Sequence, residues 1–214
     1  MKKTLTAIIL SLAAAATLSL GMAACGNPDD GTPAGATSGL AYTLSDDGTY
    51  YTLSGIGEAD GAEIIIPETY RDLPVTAISG FAFQNCDITA VTIPASITTI
   101  GTAAFTECTE LAEVTFEGSE LESLGDFAFG NCTSLTEIAL PDGIPAIGSF
   151  TFSGCNYLTA VTIPASVTEI RDSAFNMCNR LATINYRGSR TQWYGIEIGD
   201  QNEAVYEAEI NYGS

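Results

Sequence analysis

Apolar positions recur along most of this chain with a period of about 23 residues. Five phenylalanines, Phe83, Phe105, Phe129, Phe152 and Phe175, stand 22, 24, 23 and 23 residues apart. An aliphatic residue precedes each by five positions (Ile78, Ile100, Leu124, Ile147, Ile170), and a cysteine follows each by three (Cys86, Cys108, Cys132, Cys155, Cys178). Beyond each cysteine come another aliphatic (Ile88, Leu111, Leu135, Leu158, Leu181) and then two apolar residues with one between them. These pairs begin at Val91, Val114, Ile138, Val161 and Ile184. Residues two apart point to the same face of a strand. Each pair therefore predicts a short strand buried on one side, with Thr92, Thr115, Ala139, Thr162 and Asn185 facing out. Prolines after the strands (Pro94, Pro141, Pro164) lack an N–H and help to end them. Small residues before four of the phenylalanines (Ala82, Ala104, Ala128, Ala174) predict a short helical turn on the opposite side.

One such unit cannot bury its own apolar face, whereas stacked units share a continuous core. The pattern predicts a repeat solenoid of about 23-residue coils, with a parallel β-sheet on one side, short helical or 3₁₀ turns opposite, and β-rich caps at both ends. The five repeats occupy residues 76–190. Before them, residues 41–75 read as an N-terminal cap and half-repeat. Within it, "YTLSDDGTYYTLSG" alternates around Asp47-Gly48, a strong hairpin signal. Residues 191–214, with Trp193 and the closing strand "EINY", read as the C-terminal cap. Two departures stand out. The first repeat is one residue short between Cys86 and Ile88, and the second has an extra residue, with "FEGSEL" where a proline motif would stand.

The shared register puts the five cysteines among Ile, Leu and Phe positions, where free cysteine behaves as a small buried hydrophobe. Together with the five phenylalanines they predict the core ladder. Metal binding needs clustered ligands, yet the cysteines come one per coil and the chain has no histidine, so no metal and no cofactor is expected. A disulfide between neighbouring coils remains an alternative, opposed by the odd number and by side chains that point alike.

The N-terminus changes the picture of where the protein resides. Lys2 and Lys3 precede an apolar stretch from Leu5 to about Met22, which ends in "GMAAC". This reads as an export signal over residues 1–24, against the alternative of a transmembrane anchor, which needs about 20 apolar residues and holding flanks. The stretch resembles a bacterial lipobox, which implies lipidation of Cys25 and a membrane anchor made of lipid alone. Residues 25–40, rich in Gly, Pro, Ser, Thr and Ala, then read as the lipidated cysteine and a flexible tether. Both lysines lie in the signal, so beyond it five arginines face 26 acids, a formal −21. Nucleic acid and anionic lipid surfaces are excluded as partners, since both demand basic patches.

"AFGNCTSLTEIALPDGIPAI" (128–147) and "TFSGCNYLTAVTIPASVTEI" (151–170) resemble the BspA-like leucine-rich repeat of bacterial surface proteins. The resemblance covers about residues 62–212. It implies a right-handed leucine-rich-repeat superhelix, export to the cell surface, and a role in adhesion to host proteins or other cells.

Two surfaces are candidates for binding. One is the outward strand row, Thr92, Thr115, Ala139, Thr162 and Asn185. The other is set by Phe127 and Phe150, two residues before repeat phenylalanines in adjacent coils. If exposed they form an apolar contact patch; the plainer reading is that they lie half-buried against each other and widen the core. Acids such as Glu110, Glu113, Glu137, Asp126 and Asp142 are scattered, whereas acid–base catalysis needs paired carboxyls in a cleft, so no catalytic residues and no enzyme activity are expected. The sequence thus favours a cell-surface lipoprotein that binds an extracellular protein or glycan. A spacer lipoprotein of the envelope with no specific ligand is the alternative.

Overall fold

The structure, a computed structural model, describes residues 30–118 and 121–213. The export signal and Cys25 lie outside the described residues. A hairpin of β1 (Ala41–Leu44) and β2 (Tyr51–Gly55) leads into successive coils. The first coil holds β3 (Glu63–Ile65) and a second hairpin, β4 (Thr69–Tyr70) with β5 (Leu73–Ile78). Four coils of one plan follow. They contain β6 (Ala90–Ile93) and β7 (Thr99–Ile100), β8 (Glu113–Phe116) and β9 (Ser123–Leu124), β10 (Glu137–Ala139) and β11 (Ala146–Ile147), and β12 (Ala160–Ile163) and β13 (Glu169–Ile170). The sixth coil runs through β14 (Thr183–Tyr186), α1 (Arg190–Trp193) and β15 (Glu197–Ile198). The helix α2 (Glu203–Glu207) then leads to β16 (Glu209–Tyr212), which opens a seventh.

The predicted strand register holds. Val91 pairs with Val114, and Ile138 with Val161 and then Ile184, so within each ladder the inward residues stack on their counterparts in the next coil. The longer strands form the first face and the shorter ones the second, both in parallel ladders. Between them the core is continuous, and the five repeat phenylalanines are fully buried. Their rings stack in one file with centroids 5.0, 5.2, 5.7 and 5.3 Å apart, within the range of favourable offset aromatic pairs.

The third face carries short turns that do not lengthen into helix, because its N–H groups divide between the turn and the next coil. Gln84 N–H donates back to Phe81 C=O at 3.1 Å, and Cys86 N–H to Phe83 C=O at 3.1 Å, as in a turn. The residues between them donate outward: Phe83 N–H reaches Ala104 C=O of the next coil at 2.8 Å, and Asn85 N–H reaches Thr106 C=O at 2.9 Å. Such alternation requires left-handed backbone at both ends of the segment. Phe81 and Asn85, Ala103 and Glu107, Phe127 and Asn131, Phe150 and Gly154, and Ser173 and Met177 all have φ between 56° and 78°. Glycines at the preceding corner permit close stacking, for a Cβ on Gly125 would lie 2.5 Å from Thr102 N.

The N-terminal end differs from the expectation. Residues 30–40, expected as tether, are pinned to the first coil. Thr37 N–H donates to Ile65 C=O at 2.9 Å, its hydroxyl accepts from Ile65 N–H at 2.8 Å, and Arg71 N–H donates to Gly31 C=O at 3.1 Å. The segment thereby covers the free edge of β3 and buries Leu40, which a composition-based reading cannot foresee. The β1–β2 loop spans Ser45–Tyr50 and is organised by Asp47, which accepts from Ser45 Oγ at 2.7 Å and Thr49 N at 3.1 Å, so it is longer than an Asp-Gly turn. At the other end no further coil accepts Phe175 N–H, and Asn202 substitutes its Oδ1 at 3.0 Å. Its Nδ2 donates to Arg171 and Gly199 carbonyls, both at 2.9 Å.

Two stability outcomes follow from this packing and are read by denaturant unfolding. Phe129→Ala costs about 3–5 kcal/mol, as truncation of a buried Phe does, whereas Thr115→Ala on the outer face costs well under about 1 kcal/mol. Equal, small losses contradict the register. Asn202→Ala leaves the buried Phe175 N–H without an acceptor and costs about 1–3 kcal/mol; an unchanged midpoint contradicts its capping role.

Candidate functional site

The thiols resolve first. Cys108, Cys132, Cys155 and Cys178 are buried, and each S–H donates to the Phe carbonyl of the preceding coil: Phe83 at 2.9 Å, Phe105 at 3.1 Å, Phe129 at 3.2 Å and Phe152 at 3.1 Å. Burial pushes the Cys108 and Cys178 thiols up from the ordinary 9.0 to about 12, and raises Cys132 and Cys155 well above that ordinary value. All five cysteines among the described residues are free. The expectation of one buried cysteine per coil fails only at Cys86, which is half-buried. No Phe carbonyl precedes it in the array, and its Sγ lies 3.8 Å from Gln84 O.

Among the described residues no three Cys, Asp or Glu side chains come together as a metal site. The acids weighed for chemistry are dispersed. Asp126 accepts from Ser149 N–H at 2.8 Å, and Asp142 lies 3.7 Å from Arg187. Glu113 accepts from the Thr115 hydroxyl at 3.3 Å on the open sheet face.

That face is where the regular array breaks. The strands β8 and β10 lie side by side without forming a ladder, and β9 and β11 do the same on the second face. Both ladders stop at the same boundary, between the third and fourth coils. The extra residue explains it: the inward residues Val114 and Leu124 of the third coil are ten positions apart, against nine for Val91–Ile100 and Ile138–Ile147. The turn face stays closed across this boundary, with Phe127, Phe129 and Asn131 N–H groups donating to Ser149, Thr151 and Ser153 at 3.0, 2.9 and 2.7 Å. The corners also hold, with Leu121 N–H donating to Asp142 C=O at 3.0 Å and Ser134 N–H to Thr109 C=O at 3.2 Å, so the seam is confined to the strands themselves.

On the sheet face the seam forms a groove of about 640 Å³, lined by Glu113, Thr115, Glu137, Ala139, Ala160, Thr162 and Asn185 among others. Four of the five predicted outward residues thus line one feature. Thr92 lies outside it, in the continuous ladder of β3, β6 and β8. Thr115 and Ala139, at the seam, are exposed, whereas Thr92, Thr162 and Asn185 are half-covered by their neighbours. Sequence reasoning named these residues but missed the groove, although the extra residue and the missing proline were its signal.

Phe127 and Phe150 lie on the turn face, away from the groove. Their rings stack at 4.5 Å with planes 7° apart, as adjacent coils predicted. Phe150 is half-buried, but Phe127 is 41% exposed, so the pair is a ridge rather than an extension of the core. A third feature was not foreseen. At the C-terminal end Trp193, Ile198, Tyr206, Ile210 and Tyr212 line an apolar pocket of about 390 Å³ beside the unpaired edges of β15 and β16. No helix among the described residues is long and apolar enough to cross a membrane.

Comparison with known proteins agrees with this architecture. A family model described as a BspA type leucine rich repeat region matches residues 76–195 in six copies. No curated protein matches the chain. A leucine rich cell surface protein from Faecalibacterium prausnitzii is similar at 35% identity and a TM-score of 0.67, over 76% of this chain and 41% of its own. This chain therefore matches about two-fifths of the length of that relative. A leucine-rich repeat protein from T. pallidum is similar at 24% identity and a TM-score of 0.56, over 78% of this chain and 85% of its own. One from Eubacterium ventriosum gives 23% identity and a TM-score of 0.56, over 67% and 39%. The last two bear on the fold alone.

The thiol column has a measurable signature. A thiol reagent at pH 8 modifies Cys86 in the native protein and spares the four carbonyl-bound thiols until the chain unfolds. Because folding raises their pKa values, the stability linked to them is complete below pH 9 and declines as pH rises from 9 toward 12. Modification of all five at equal rates in the native state contradicts the column.

Proposed function

The chain belongs to the BspA-type leucine-rich repeat family, and on that premise we propose that it is an exported, lipid-anchored protein whose solenoid binds an extracellular protein or glycan without catalysing a reaction. Cys25 is the site of lipidation in this reading, and the membrane is engaged through that lipid alone. The observation that carries the binding role is the seam. An unbroken solenoid face offers only a small, polar, nearly featureless surface, whereas the groove gives a ligand walls and a floor. Its volume lies within the range of about 300–1,000 Å³ typical of ligand sites. The resemblance to a cell surface protein supports the location by analogy, and fold alone does not fix function.

A second reading, a self-associating spacer of the envelope, draws on the apolar C-terminal pocket and the two free strand edges beside it. Unpaired edges are templates for pairing with another chain.

The test is a binding screen of the chain at physiological salt against matrix proteins, mucins and glycans. Thr115→Glu/Thr162→Glu obstructs the groove, and Phe127→Ser/Phe150→Ser removes the ridge. A ligand lost with the first pair and kept with the second, with thermal unfolding unchanged, is the expected result. Loss only with the second moves the site to the ridge. Silence throughout, with concentration-dependent self-association, supports the spacer.

A further inference from the structure

The groove has carboxylates on its rim and no cation to answer them. Glu113 on β8 and Glu137 on β10 hold equivalent outward positions on the two sides of the seam, and both are exposed. Glu63 and Glu209 continue the same row on β3 and β16, and no Lys or Arg stands at any outward position of the seven strands. The nearby Arg187 faces Asp142, 3.7 Å away, beyond the end of the strands. One outward position further along the strands the floor is Ala139, with the hydroxyls of Thr115 and Thr162 on either side. No aromatic residue lines this groove, so a sugar ring finds no platform to stack on.

We infer that the seam groove seats an extended, Lys- or Arg-bearing segment of another protein, with a basic side chain between Glu113 and Glu137. Ala139 leaves room for its main chain, and the two threonine hydroxyls offer donors and acceptors to it. The occupant follows from charge complementarity: the only charged side chains at the outward positions of this face are glutamates, and a cationic partner is both steered toward it and held. This inference rests on the reading of the sheet face as a binding surface and narrows it to one chemical class.

The probe is a fluorescent peptide alternating lysine and serine, seven residues long, titrated against the purified full chain, with the glutamate–serine peptide as the opposite-charge control. Exposed ion pairs contribute about 0.2–1 kcal/mol each, so Glu113→Gln/Glu137→Gln weakens binding about two- to thirty-fold. Ala139→Phe leaves the charge unchanged and fills the floor; it weakens binding to a similar degree. Glu58→Gln/Glu68→Gln removes two exposed acids from the N-terminal end and leaves affinity within about two-fold, with added salt weakening all variants that bind. Thr115→Phe repeats the obstruction from the opposite wall. Equal weakening by the two glutamate pairs, indifference to both phenylalanine variants, or no binding at low salt overturns the inference. A ligand found in the broader screen while the lysine peptide does not bind leaves the binding role standing and removes only this partner class.

Discussion

Everything in this fold hangs on how the turn face spends its backbone N–H groups. Alternate residues donate within the turn and to the next coil, as Gln84 and Phe83 do. A regular helix would use all of them internally and leave neighbouring coils unlinked on that side. The alternation forces two left-handed residues per coil, at roughly 1–2 kcal/mol for each that has a side chain. In return each repeat phenylalanine is fixed directly over the last, and the thiol three residues on meets the preceding Phe carbonyl. Cysteine suits that corner because it is small, apolar and still able to donate.

The same bonds explain why one inserted residue opens a seam without dividing the molecule. The insertion lies in the corner between β8 and β9, and the two ladders flanking that corner lose their pairing with the fourth coil. The turn face keeps three bonds across the boundary, and the corners keep two more, from Leu121 N–H to Asp142 and from Ser134 N–H to Thr109. Phe129 and Phe152, which face each other there, have the widest spacing in the file at 5.7 Å. A defect in a quasi-one-dimensional stack stays local because each coil touches only its neighbours.

Legibility in the sequence followed periodicity. Positions that repeat, such as Val91, Phe105 and Cys132, were placed on the right face with the right neighbours because five copies reinforce one another. Features that occur once were obscure. Nothing in "DGTPAGATSG" betrays that Thr37 pairs with Ile65, since that contact depends on a free strand edge that exists only after folding. Asn202 likewise looks like an ordinary loop residue until the last coil needs an acceptor for Phe175 N–H. Arg71 and Asp72 form a tight turn with φ of 49° and 65° although neither is glycine, so turn chemistry alone does not reveal the β4–β5 hairpin. The groove residues were legible as outward positions, but their grouping was not, because it depends on how two ladders fail.

The left-handed column ahead of each repeat phenylalanine separates folding from use. In five coils this position is Phe81, Ala103, Phe127, Phe150 and Ser173, all with φ near +60°. Ala103 and Ser173 are 4% and 3% exposed, so a small residue there completes the packing. Phe81 and Phe127 are 58% and 41% exposed and recover little by burial. The Phe127–Phe150 stack returns about 0.5–1.5 kcal/mol, comparable to the backbone cost of one such residue and short of two. Phe81 has no such stacking partner among the described residues. Folding alone therefore does not account for aromatic side chains at this position. An apolar group held out of the core at a regular backbone site is free to meet another surface, so the Phe127–Phe150 ridge on the turn face is a second candidate contact surface, separate from the groove on the sheet face.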